Sequence, residues 1–285
     1  MKPTPSQLQD IQARLADGSV IPYLGAGVLA LVPDCPVPDS QEKLAILMTE
    51  KVSVPHKVRK RLTAAAQFIE NFKHRKTLVS LMHANFCAGT PPSTLHRLLA
   101  SLSKLPLIVD VWYDDAMQNA LEARTDWGQV QGLSQSEHFG TWFGWYDAAG
   151  EPADEAATEK WSTLLYKPIG CVAPADNYLV SDSDYVEVLT EIDIQTPIPP
   201  LVQALRRGRN FLFLGCRFDD QLQRTFARQI IKRSSSQHWV VFPGEMTKNE
   251  ARFCAEYNIT HLDMTLAEIE QVLAAGVANP ALAPA

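Results

Sequence analysis

Val20-Ile21-Pro22-Tyr23-Leu24 runs directly into Gly25-Ala26-Gly27. A short apolar run bounded by glycine reads as a buried strand ending in a tight turn. A helix precedes it, from about Ser6 to Ala16, with Leu8, Ile11 and Leu15 on one face and Gly18 as its stop. The segment after Gly27 reads as a helix, so the unit is strand, glycine turn, helix. That is how a chain of βαβ units begins.

Working outward, Leu105 to Val111 reads as a second central strand ending at Trp112-Tyr113-Asp114-Asp115, with a short helix to about Ala123. Leu164-Leu165-Tyr166 leads into Lys167-Pro168-Ile169-Gly170. Asn210 to Leu214 is a continuous apolar run between Gly208 and Gly215, the pattern of a strand buried on both faces. Helices at about 219–232, 249–257 and 266–274 then alternate with strands at about 238–242 and 260–262.

Between the first two strands lie a Pro-rich loop (33–39), a helix capped by Ser40, a helical region from His56 to Phe86, and a helix capped by Ser93. Residues 124–160 are polar and rich in aromatics, and read as a β-meander or an inserted loop. A turn-rich stretch reaches Ser181, and a small helix takes in Tyr185, Val188 and Leu189. Thr196 to Pro200 is a rigid, Pro-rich connection. The fold class expected is α/β: a Rossmann-like parallel sheet flanked by helices, with a small helical module inserted. One domain would cover 1–265, with the helical module at about 40–104 and an aromatic-rich insert at about 124–160. Residues 266–285 would be a terminal helix and a frayed tail.

The chain has 285 residues, with 26 Lys and Arg against 32 Asp and Glu, a net charge of −6. That balance argues against a nucleic-acid protein working by overall charge. No apolar run approaches the ~20 residues that span a bilayer, and the polar start MKPTPSQLQD lacks a signal core. No membrane association and a cytoplasmic location are expected. The five cysteines (35, 87, 171, 216, 254) form no Cys-x-x-Cys pair, and the seven histidines show no metal-ligand spacing. Most of the cysteines are expected to be buried free thiols, and no metal is expected. No Gly-x-Ser-x-Gly elbow supports a serine hydrolase.

Chemistry in an open α/β sheet gathers at the carboxyl ends of the strands. Gly25 and Gly27 there either make a tight turn or let backbone approach a phosphate. Asp110 to Asp115, Lys167 to Gly170, and Gly215-Cys216-Arg217-Phe218-Asp219-Asp220 share that placement. Together with Pro92-Ser93-Thr94-Leu95-His96 and Tyr185, this ordered set resembles the sirtuin-like family, in its broad bacterial branch rather than the zinc-bearing deacylase branch. The resemblance covers about residues 20 to 265. It implies a sheet that binds NAD or ADP-ribose against a helical module. The binding residues would be Gly25, Ala26, Gly27, Trp112, Tyr113, Asp114, Ile169, Gly170, Gly215, Arg217 and Asp219.

The departures fall on one chemistry. Trp112 stands where the family carries Asn, Ile169 where it carries its catalytic His, and Leu29 where Gly-Ala-Gly-x-Ser ends in Ser. Neither Trp nor Ile accepts a proton. The resemblance therefore implies a pseudoenzyme without catalytic residues, acting as a nucleotide-binding or protein-interaction module. An NAD hydrolase of the bacterial defence type is the alternative, with His96, Asp114 and Asp110 as its proton-transfer candidates. A structural subunit without a small ligand is a third reading.

Other features keep two readings each. Asp114-Asp115 and Asp219-Asp220 are acid/base pairs or helix N-termini. Lys57/Arg59/Lys60/Arg61, Lys73/His74/Arg75/Lys76 and Arg206/Arg207/Arg209 are anion patches or solvated faces. Trp142, Phe143, Trp145 and Tyr146 are local core or a surface for a protein partner.

Overall fold

The computed structural model describes residues 2–191 and 197–277. Helix α1 (Pro5–Ala16) leads into β1 (Val20–Leu24). Helices α2 (Gln41–Lys51), α3 (Leu62–Lys73), α4 (Arg75–Phe86) and α5 (Thr94–Ser101) precede β2 (Leu107–Asp110). Then come α6 (Ala116–Leu121), β3 (Trp127–Gly132), β4 (Phe143–Asp147), β5 (Pro152–Ala153) and β6 (Thr163–Lys167). A small hairpin, β7 (Gly170–Cys171) with β8 (Asn177–Tyr178), is followed by α7 (Asp182–Glu191) and α8 (Pro200–Leu205). The last third alternates: β9 (Asn210–Leu214), α9 (Gln221–Ile231), β10 (His238–Val241), α10 (Lys248–Glu256), β11 (Ile259–Leu262) and α11 (Leu266–Val277).

The main sheet has nine strands in the order β11-β10-β9-β1-β2-β6-β3-β4-β5. It is parallel from β11 through β3, and β4 and β5 extend it antiparallel. Strand alternation sorts side chains into two layers. Ile21, Tyr23, Phe211, Phe213 and Val109 enter one layer, beneath α2, α3, α4, α7 and α9. Val20, Leu24, Leu212, Leu214 and Ile108 enter the other, with α1, α5, α6 and α11. Because both faces are covered, β1 and β9 are buried at every position.

Local chemistry sets the helix starts. Ser40 Oγ accepts from the Lys43 amide at 3.3 Å. Ser93 and His96 form a capping box: Ser93 Oγ accepts from the His96 amide at 3.3 Å, and the Ser93 amide donates to His96 Nδ1 at 3.2 Å.

Three expectations need correction, and the two readings of 124–160 resolve toward a meander. The helical region from His56 to Phe86 is a short 3₁₀ turn (His56–Val58) followed by two helices, α3 and α4, because His74 sits at φ 71 between them. The residues after Gly25 form a 3₁₀ segment, Ala26–Leu31, rather than an α-helix, since Gly27 and Val28 donate to nearby backbone carbonyls. The turn-rich stretch before Ser181 contains the β7–β8 hairpin, with strands too short to show periodicity. Within 124–160, β3 joins the main sheet parallel to β6, and the meander then continues through β4 and β5. Trp142, Phe143, Trp145 and Tyr146 are half-buried there, while Phe139 is 95% exposed. Thr196 of the Pro-rich connection and the tail expected to fray (278–285) lie outside the described residues.

One close approach pins the centre of the sheet. Gly215 has φ +67, and a Cβ there would stand 2.3 Å from the Val28 amide nitrogen. A Cβ on Gly25 would stand 2.6 Å from the Gly215 carbonyl oxygen. Gly89 has a similar φ, +73, with open space around it. Gly89→Ala should therefore cost only the left-handed backbone penalty, about 1–2 kcal/mol. Gly215→Ala should cost that plus displacement of the β1 loop. Urea midpoints of the two variants check the difference; equal losses would remove the close approach as a constraint.

Candidate functional site

The carboxyl ends of β1, β2, β6 and β9 lie side by side, which brings together the loops that follow them. The Gly25 amide donates to Leu214 O at 2.9 Å, Gly27 to Gly215 O at 3.0 Å, and Val111 to Leu24 O at 2.8 Å. Gly25, Ala26, Gly27, Trp112, Tyr113, Asp114, Ile169, Gly170 and Gly215 thus share one edge. Arg217 and Asp219 follow on the same loop but are exposed.

At the centre is a buried ion pair. Lys167 Nζ, fully buried, lies 2.8 Å from Asp110 Oδ2 and donates to Asp114 O at 2.9 Å. Burial alone pulls the ammonium toward losing its proton; the Asp110 carboxylate outweighs it, and the net shift is upward. Burial raises the Asp110 carboxyl, and Lys167 works against that rise. Asp110 Oδ1 also accepts from the Trp112 amide at 3.2 Å. Cys171 Sγ donates to Asp114 O at 3.1 Å.

Trp112 lies inside this edge and is 3% exposed. Its indole Nε1 donates to Pro38 O at 2.8 Å. Its ring meets Tyr113 at 5.0 Å and Phe86 at 6.0 Å between centroids. Tyr113 packs edge-on against Tyr178 at 5.9 Å and donates from its hydroxyl to Leu179 O at 2.8 Å. Ile169, Cys216 and Phe218 are also buried, Phe218 edge-on against Phe213 at 5.1 Å between ring centroids.

The ionisable candidates are engaged in structure. His96 Nδ1 is held by Ser93, and burial lowers its imidazole to about 4, so it is neutral. Asp114 Oδ1 accepts from the Ala116 amide at 2.9 Å and Asp115 Oδ1 from the Thr90 amide at 2.7 Å. Asp220 caps α9 through the Leu222 and Gln223 amides. Arg217 forks onto the buried Glu250, Nε to Oε1 at 2.7 Å and Nη2 to Oε2 at 2.9 Å, and lies 4.1 Å over the Phe242 ring.

Several hydrogen-bond donors at this edge are already used within the protein. The amides of Gly25, Gly27 and Val28 donate to protein carbonyls. The Phe218 amide donates to Glu250 Oε1 at 3.2 Å. The indole occupies buried space, and Ile169 offers no proton acceptor. Among the described residues, no group of three or more His, Cys, Asp or Glu is arranged to hold a metal ion, and no helix is long and apolar enough to cross a membrane.

Pro38, Phe86, Tyr178 and Glu250 complete the edge and escape a reading by motif. Thr247-Lys248-Asn249-Glu250 is a legible capping box, but its link to Arg217 is non-local. Of the basic clusters, Arg75 is drawn inward: it pairs with the buried Asp184 at 2.8 Å and with Glu137 at 3.2 Å.

Two outcomes are expected. Lys167→Met leaves Asp110 buried without its cation and should cost about 3–5 kcal/mol. The double variant Lys167→Met/Asp110→Leu should regain most of that loss in urea unfolding; a double variant as unstable as the single would show that the pair is not the constraint. The second concerns Glu250. Burial works to raise its carboxyl, but the Arg217 fork and Thr247 outweigh it and hold it at about 2. An unfolded Glu titrates near ~4.3. Its contribution is therefore complete above that value and lost as pH falls toward about 2. Glu250→Gln should flatten the stability profile across that window, and an unchanged slope would contradict the assignment.

A family model described as "SIR2-like domain" matches residues 106–262. A comparison with curated proteins returned no match. The matched span runs from the threshold of β2 to the end of β11 and carries the Tyr113-Asp114, Lys167 and Gly215 loops described above. By its strand order, its gathered loops and this match, the chain belongs to the SIR2-like domain family.

Proposed function

We propose that this chain is a catalytically silent SIR2-like protein, a binding module rather than an NAD-consuming enzyme. The family points to NAD-related function in general. The observation that carries the proposal is the filled edge: Trp112 is buried and bonded to Pro38 O at 2.8 Å, and Ile169, after β6 at the same edge, is buried too. A positioned general acid or base contributes about 10²–10⁴-fold, and neither residue supplies one. Asp110, Asp114 and His96, the alternative proton carriers, are engaged in an ion pair and in helix-start hydrogen bonds.

We take residues 1–265 as one α/β unit, with the helices between β1 and β2 as its inserted module. For the partner surface we favour the β4 region, where Trp142, Phe143, Trp145 and Tyr146 are half-buried and Phe139, on the preceding loop, is exposed. Aromatic side chains of this kind are enriched at interfaces.

The test is nicotinamide release at saturating NAD. The purified chain should show no release at an enzyme-like rate. Turnover near ~1 s⁻¹ that disappears in Asp114→Ala would replace this reading with an active NAD hydrolase.

A further inference from the structure

The opposite edge of the sheet carries a second feature. A cleft of about 770 Å³ lies between the carboxyl ends of α9 and α10. Arg228, Lys232, Arg233, Ser235, Tyr257 and Asn258 are among its walls. His238 opens β10 and Asn258 immediately precedes β11, so the cleft sits at the amino-terminal edge, across the sheet from Gly25 and Trp112.

Its charge runs against that of the chain. The net charge is −6, yet three basic residues face one acid, Glu256, in this lining. Among the described residues, no ion pair engages Arg228 or Arg233. Nearby Arg206 is buried and held down at about 10, by burial first, with Arg233 and Arg207 adding like-charge repulsion.

Cations at a helix carboxyl end commonly serve the last carbonyls and the helix dipole. Here that role is already filled. Arg206 Nη1 donates to Gln229 O and Ile230 O, each at 2.8 Å. Ser234 donates to Ile231 O from its amide at 3.1 Å and from its hydroxyl at 2.6 Å. Arg228 and Arg233 are surplus to capping. The walls are tied together, since Asn258 Nδ2 donates to Ser236 O at 2.6 Å. Tyr257 is half-buried and rests on Phe253 at 4.9 Å between ring centroids, presenting an aromatic surface on a fixed support.

Unpaired guanidinium groups, serine hydroxyls and an aromatic ring line an open cleft whose volume is in the range of small-ligand sites. Guanidinium groups suit phosphate by geometry as well as charge. We propose that this cleft binds a nucleoside polyphosphate, with its phosphates on Arg228 and Arg233 and its base against Tyr257. This site is separate from the family's carboxyl-edge site and does not depend on whether that site is silent.

Isothermal titration of the full chain with ATP, and separately with inorganic pyrophosphate, tests it. ATP should bind, more weakly as salt rises. Arg228→Ala/Arg233→Ala, at exposed positions, should weaken both probes at least tenfold with an unchanged melting temperature. Tyr257→Ala should weaken ATP several-fold and leave pyrophosphate unchanged. Asp219→Ala, exposed at the other edge, should change neither. The proposal is overturned if ATP does not bind, if the double arginine variant binds it as before, or if Asp219→Ala abolishes binding. A single-stranded oligonucleotide that binds through these arginines while ATP does not would also overturn it, in favour of a nucleic-acid surface.

Discussion

A lysine ammonium removed from water must be met by an anion and by carbonyl oxygens, or the site does not form. Lys167 satisfies that requirement at the end of β6 by drawing on β2 and on the loop beyond it. Asp110 provides the charge and Asp114 O a further acceptor. The same Asp110 carboxylate receives the Trp112 amide, so the pair sets the course of the chain as it leaves the strand. From there the indole has a defined direction, beneath the Pro-rich loop and among Phe86 and Tyr113. Cys171 joins the arrangement through Asp114 O, connecting the β7–β8 hairpin to it. The order of the carboxyl edge follows from one buried charge.

Legibility in the sequence follows burial. The strands at 20–24 and 210–214 are found where the apolar runs place them, because both lie mid-sheet, covered on two faces and stopped by glycine. The helix starts at Ser40 and Ser93 are legible because capping is a local exchange of hydrogen bonds. The break at His74 is not local. Arg75, the first residue of α4, is held by Asp184 and Glu137, residues far along the chain. The β7–β8 hairpin is likewise fixed from outside, with Gln131 Nε2 donating to Cys171 O at 3.1 Å.

The candidate site divides along the same line. Which loops converge could be read from strand order and motif spacing, since a parallel sheet aligns its carboxyl ends. What occupies the space between them could not. Pro38, Phe86 and Tyr178 come from three separate segments, and no spacing in the sequence announces that they meet Trp112 and Tyr113. Arg217 shows the same difficulty. It falls at a family position, yet Glu250, 33 residues on, holds its guanidinium in a fork.

The bond from the Trp112 indole to Pro38 O limits what position 112 can accept. Once a loop leans on a ring, the ring can no longer be exchanged freely. Placing a small residue at position 112 would vacate the space of an indole, a loss of about 3–5 kcal/mol for Trp to a small residue. It would also strip a buried carbonyl of its donor, at about 1–3 kcal/mol. A typical domain has only about 5–15 kcal/mol in hand. The two losses together would take up much of that margin. Ring and loop constrain each other, so position 112 tolerates less change than the exposed surfaces do.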